Sequence, residues 1–186
     1  MSTQKVNART IVLVLMIIAA TAFRLLSYKF KVLSDFTPVG AIALFGGSYF
    51  SEKWKAYLVV LITFVLSDML INNLYGLPLI SSYTLWYCIC FGLIVFFGTL
   101  IKKINTVNVL LIVCIPVLIH WLVMDLPWVT GYPATPAGYA ASLTAAIPFE
   151  RNMLFGDILF GLILFGGFEL AKNKYTVLRS KKELAV

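Results

Sequence analysis

The sequence predicts an all-α integral membrane protein with six transmembrane helices, the second one short, and with both termini in the cytoplasm. Three observations predict it. First, 61% of the 186 residues are hydrophobic and only 12% are charged, where a soluble domain carries about 25% charged residues. The mean hydropathy is +0.93. Second, apolar runs recur near the length of about 20 residues that a membrane-crossing helix needs. Third, Lys and Arg gather in alternate connections between those runs, as cytoplasmic loops do. This balance excludes a water-soluble enzyme, a disordered chain and a nucleic-acid-binding domain. The net charge of +7 reads as a topology signal. At about 20 residues per span plus a loop, the chain holds roughly five to seven spans and no ATPase domain. The expected organisation is a single transmembrane domain over 1–175 and a basic cytoplasmic tail over 176–186.

The first run, Ile11–Leu26, follows Lys5 and Arg9. Ala20-Thr21-Ala22 looks like a signal-peptide cleavage site. The apolar stretch continues through Phe23, Leu25 and Leu26, which suits a retained helix better. The second run, Phe36–Phe50, carries Gly40, Gly46 and Gly47, and Pro38 suits a first helical turn. Its apolar core of about 13 residues barely crosses ~30 Å of hydrocarbon. It is either a short, tilted helix or a re-entrant element. Trp54–Leu74, Tyr83–Ile101, Val107–Leu126 and Met153–Ala171 complete the six. Between the last two lies the semi-polar stretch Pro127–Arg151, where 136–147 reads as a short interfacial helix.

With six spans, eleven basic residues fall inside (Lys5, Arg9, Lys53, Lys55, Lys102, Lys103, Lys172, Lys174, Arg179, Lys181, Lys182). Four fall outside (Arg24, Lys29, Lys31, Arg151). A five-span arrangement with the N-terminus outside splits them twelve to three. Charge does not choose between the two.

Ionisable residues inside spans are costly and are functional candidates by default. Arg24, Asp68, His120, Asp125 and Asp157 fall in the outer half of the predicted spans, and Glu169 near the inner face. That asymmetry suits a pocket open to the outside and sealed below. Structural readings stand beside it. Arg24 and Arg151 suit interfacial snorkelling. Arg24 with Asp68 suits a helix-bridging pair, His120 beside Trp121 a helix–helix hydrogen bond, Asp157 a cap or bridge, and Glu169 with Lys172 an interfacial pair. Tyr28, Tyr83, Trp86 and Trp121 belong either to an interfacial aromatic belt or to the walls of a pocket for a ring-bearing ligand. Cys88, Cys90 and Cys114 read as apolar filler. The chain shows no Ser/His/Asp set, HExxH, P-loop or paired metal ligands. No catalytic residue, metal or cofactor is expected.

Several strings are familiar. Arg24-Leu25-Leu26 is followed by Asp35-Phe36-Thr37-Pro38-Val39-Gly40-Ala41-Ile42-Ala43-Leu44-Phe45-Gly46-Gly47-Ser48-Tyr49-Phe50. Leu66-Ser67-Asp68 comes next, then Tyr132-Pro133-Ala134-Thr135. Last comes Ala146-Ile147-Pro148-Phe149-Glu150-Arg151-Asn152-Met153-Leu154-Phe155-Gly156-Asp157. Together, over roughly 24–167, they resemble small bacterial membrane proteins similar to the substrate-binding S-component of energy-coupling factor (ECF) transporters. That family is related to solitary S-components for cobalamin. The resemblance implies a multi-pass protein of the bacterial cytoplasmic (inner) membrane. Its six helices would form a ligand pocket at the outer face from helix ends and the 1–2, 3–4 and 5–6 loops. It implies outside loading and release by toppling, with a T-subunit and ATPases as partners, or solitary action. There are departures. Tyr28 stands where the family often has histidine, and Ser81-Ser82-Tyr83 where cobalamin relatives carry a cobalt-ligating cysteine. Met124-Asp125-Leu126-Pro127 replaces a Thr-Asn-Phe-Gly-like stretch, and Ile17-Ile18-Ala19-Ala20 gives no clear T-subunit docking motif.

The leading expectation is therefore a membrane subunit binding a vitamin-like micronutrient, cobalamin-like or otherwise ring-bearing. The candidate ligand-binding residues are Arg24, Tyr28, Asp68, Tyr83, Trp86, His120, Trp121, Arg151 and Asp157. The expected partners are lipid and the small-molecule substrate, not nucleic acid. A structural or assembly protein, and an intramembrane enzyme acting on a lipid through His120 or Asp157, are the alternatives.

Overall fold

The computed structural model describes residues 7–30, 36–101 and 104–180, apart from the side chains of Ser27, Tyr28 and Thr106. The described residues are helical and contain no strand. In chain order the helices are α1 (Ala8–Ala22), α2 (Arg24–Lys29), α3 (Val39–Tyr49), α4 (Lys53–Leu74) and α5 (Thr84–Thr99). They continue with α6 (Thr106–Ile112), α7 (Cys114–Met124), α8 (Pro127–Thr130), α9 (Pro136–Gly161) and α10 (Gly167–Lys174). A π-helical turn, Leu162–Gly166, joins α9 to α10, and a 3₁₀ turn, Thr176–Leu178, closes the described chain.

Four helical stretches are long and apolar enough to cross a membrane: Ala8–Leu26, Lys53–Leu74, Val107–Met124 and Pro136–Lys174. The protein is an all-α membrane protein on this ground. Two further apolar helices are shorter, Val39–Tyr49 and Thr84–Thr99. The fourth run of the sequence yields a helix of 16 residues, about 24 Å at 1.5 Å per residue.

The most informative element is α3. Ten of its eleven residues are buried. At 1.5 Å per residue it measures roughly 16 Å, half the hydrocarbon thickness. It is apolar all round because it is surrounded all round, as a helix in the middle of a bundle must be. Close packing fixes it there. A Cβ on Gly98 of α5 would lie 2.6 Å from the Leu44 carbonyl oxygen, and one on Gly47 would lie 2.2 Å from the Val95 carbonyl oxygen. Only glycine at both positions lets the two backbones approach this closely.

The ends of the elements sort into two levels. At one level lie the starts of α1 and α4, the end of α3 and the end of α10. Here the Arg9 guanidinium donates to the carbonyls of Leu178 at 2.6 Å and Tyr49 at 2.9 Å. Both ends of the described chain therefore meet at one end of the bundle. Thr176–Leu178, at the start of the expected tail, packs there with Leu178 buried, and 181–186 lie outside the described residues. At the other level lie α2, the end of α4, the end of α7, α8 and the start of α9.

Two segments differ from the sequence expectation. The stretch 136–147 is not a separate interfacial helix. It is the beginning of one continuous helical run, Pro136–Lys174, of 39 residues. Thr135 caps it by accepting from the Gly138 N–H at 3.1 Å, with Pro136 at the first position. Pro148 removes one internal hydrogen bond without ending the run. A helix that stopped there would expose several backbone groups to an apolar surround, which costs more. Conversely, the fifth run is split at Val113 into α6 and α7. Pro116 explains the split, because its ring opposes the carbonyl of Ile112, the last residue of α6.

Candidate functional site

Because α3 is short, the bundle has no central helix above Val39. The space is a cavity of about 110 Å³. Its floor is Thr37 and Val39 at the head of α3. Arg24 and Phe64 form one wall, Tyr87 and Phe91 of α5 a second, and His120, Phe149, Glu150 and Met153 of α7 and α9 a third.

The α2–α4 wall is cationic. The Arg24 guanidinium donates to Ser67 Oγ at 2.5 Å and to the Phe64 carbonyl at 3.5 Å. Its other terminal nitrogen lies 3.5 Å from Asp68 Oδ1. The guanidinium sits 4.7 Å from the centroid of the Phe64 ring, within the range of cation–π attraction. Asn72 in turn donates to Asp68 Oδ2 at 3.3 Å. Asp68 and Asn72 stand one turn apart on α4, so their side chains meet, while Arg24 reaches the adjacent Ser67 and Asp68 with its two terminal nitrogens.

The α7–α9 wall is anionic. His120 Nδ1 lies 2.5 Å from Glu150 Oε1. Glu150 is only 6% exposed, and its Oε2 is buried without a hydrogen-bond partner, as is Oδ2 of Asp125. Donor atoms of His120, Asp125 and Glu150 lie within 4.8 Å of one another. The Tyr87 ring stacks on the imidazole at 6.2 Å. Two hydrogen bonds hold α7 and α9 in register above this point. Trp121 Nε1 donates to the Leu143 carbonyl at 2.9 Å, and Ser142 Oγ to the Asp125 carbonyl at 2.7 Å.

Asp157 lies below the cavity, not in its wall. It is fully buried, and its Oδ1 accepts the Ala41 N–H at 2.8 Å. It thus satisfies one orphan donor at the head of α3. Pro38, at the N-cap position, supplies no such bond. A Cβ on Gly40 would meet Asp157 Oδ2 at 2.1 Å and Pro116 Cβ at 2.4 Å, so glycine there lets the carboxylate in.

Of the residues singled out from sequence, the fold brings Arg24 and His120 to the cavity, with Asp68 behind Arg24. Trp86 is half-buried against the core, and Tyr83 stands exposed at the start of α5. Neither lines the cavity. Trp121 and Arg151 line a different, open groove between α7 and α9, of about 310 Å³. The side chain of Tyr28 lies outside the described residues. Sequence reasoning missed Glu150, Phe64 and Phe91; Tyr87 is one of the outer-segment aromatics. Glu150 sat in a stretch read as a loop; a helical period carried through Pro148 would have placed it two turns before Asp157 and on the same side.

No curated protein and no solved structure matches the chain. The sequence pattern of DUF6580, a family of unknown function, matches residues 4–179, nearly the whole length, and the chain belongs to that family.

Proposed function

We propose that this protein is a substrate-binding membrane subunit for uptake of a vitamin-like, ring-bearing micronutrient in a bacterial cytoplasmic membrane. The observation that carries the reading is the cavity above α3, with a cationic wall on one side, an anionic wall on the other and aromatic rings between. A ring with an anionic group would face Arg24, and a donor group would face Glu150, while Tyr87, Phe91 and Phe64 would cover its faces. The depth of these groups supports loading from the outer side. At the inner end a wider polar hollow of about 790 Å³ lies among Arg9, Lys53, Glu169 and Lys172, so loading from outside rests on the depth of the outer groups. The Arg9 contacts to Tyr49 and Leu178 put both ends of the described chain on one side and support an even number of spans.

Size bounds the ligand. A cavity of about 110 Å³ is smaller than the roughly 150 Å³ that holds a benzene. A ligand of that size needs the walls further apart than they stand. Arg24 is tied to Ser67 and Asp68, and His120 to Glu150. A ligand would exchange for these internal partners and part the two walls. Small ring systems are favoured over one as large as cobalamin. Transport energy would come from a T-subunit and ATPases, or the subunit would act alone.

Depletion of single compounds from a defined mixture of vitamins and their precursors, by cells with and without the protein, tests the reading. One ring-bearing compound is expected to disappear from the medium, and Arg24→Ala is expected to stop it. Equal depletion by wild-type and Arg24→Ala cells contradicts the assignment.

A further inference from the structure

We propose that His120, Asp125 and Glu150 hold a divalent transition-metal cation in the α7–α9 wall of the cavity. The three donors come from two helices and the turn after α7, and lie within 4.8 Å of one another. Proximity of acidic groups is not enough. Here a second observation points to a ligand: Glu150 is 6% exposed, no N–H or O–H group of another residue reaches its Oε2 or Oδ2 of Asp125, and the two carboxyl groups stand within hydrogen-bonding reach of each other. Two carboxylates in apolar surroundings repel each other and lose hydration. Arg24, the cation on the opposite wall, is already tied to Ser67 and Asp68. A divalent ion balances the two carboxylates with a neutral imidazole as third donor, and takes up the orphaned oxygens.

The geometry needs a small adjustment. Metal bonds of about 2.0–2.2 Å put neighbouring donors roughly 3 Å apart. His120 Nδ1 and Glu150 Oε1 stand at 2.5 Å, so the ion replaces their hydrogen bond and parts them slightly. One nitrogen and two carboxylates suit Zn²⁺, Fe²⁺ or Mn²⁺ rather than the thiolate-seeking Cu⁺. Three protein ligands leave a coordination position open. The site stands whether or not the cavity takes up a micronutrient.

The test is a Co²⁺ titration of the purified full-length protein in detergent, stripped with a chelator beforehand. Visible ligand-field absorption and elemental analysis give affinity and stoichiometry. One Co²⁺ per chain is expected, displaced by Zn²⁺. Glu150→Gln and Asp125→Asn, which keep side-chain shape, are each expected to weaken binding at least tenfold with an unchanged melting temperature. Cys114→Ser removes an exposed thiol and is expected to change nothing. Absence of stoichiometric Co²⁺ or Zn²⁺ overturns the proposal. So does wild-type affinity in the two carboxamide variants, or binding that vanishes with Cys114→Ser. A hydrogen-bonded, proton-sharing cluster gives the first of these results. Metal bound without any retained organic compound leaves this site standing and counts against the uptake reading; the reverse result does the opposite.

Discussion

The two halves of the bundle, divided at the head of α3, use polar groups in opposite ways. In the inner half they are absorbed into packing. Tyr49 donates to Glu169, Lys172 pairs with Glu169 at 2.9 Å, and Arg9 lies 5.3 Å from the centroid of the Phe168 ring. Phe45 contacts Phe165 and Phe168 edge-on at 5.5 and 5.8 Å. In the outer half the rings of Tyr87, Phe91 and Phe64 surround a gap, and carboxylate oxygens of Asp125 and Glu150 are left without partners. The difference teaches that α3 is half a span for a reason: a full-length central helix would fill the space where the polar groups converge.

Substitutions should separate the halves, inner ones costing stability and outer ones costing ligand. The largest effect is expected from Gly98→Leu, which drives side-chain atoms into the Leu44 carbonyl. A loss of about 3 kcal/mol or more would appear as failure to elute as a monodisperse species. Next is Asp157→Ala, at the boundary. It removes the acceptor for the Ala41 N–H at a buried helix start, at a cost of about 2–3 kcal/mol, read as a lowered melting temperature. Tyr49→Phe, losing its bond to Glu169, should cost about 1 kcal/mol and leave ligand retention untouched. Asp68→Asn removes the counter-charge of Arg24 from a pair whose side chains are only 12% and 14% exposed. It should lower both the melting temperature and retention, the amide keeping part of the stability through its hydrogen bonds. An inner variant that abolishes retention at full stability would break the comparison.

Much of this was legible in the sequence. Composition gave the membrane class. The shortness of the Phe36–Phe50 run and its glycines pointed to a short, tilted helix or a re-entrant element, though not to one that would be enclosed. The outer bias of Arg24, Asp68 and His120 grouped them at one end, and the fold brings Arg24 and His120 to one cavity there. What stayed hidden depended on pairing between distant helices. Glu150 meets His120 only because Trp121 and Ser142 set the α7–α9 register. Asp157 looked like a pocket residue because its depth was readable and its partner, a backbone N–H of α3, was not. Prolines misled in both directions. Pro148 is carried inside a continuous helix, while Pro116 causes a break in a run that reads as continuous.

The central claim is that the outer cavity receives a small molecule. The most direct measurement is mass spectrometry of compounds released from protein purified out of the membrane, compared with Arg24→Ala carried through the same steps. The account predicts one ring-bearing compound in near-equimolar amount with the wild type and its loss from Arg24→Ala. No retained compound, or the same amount in both, would contradict it.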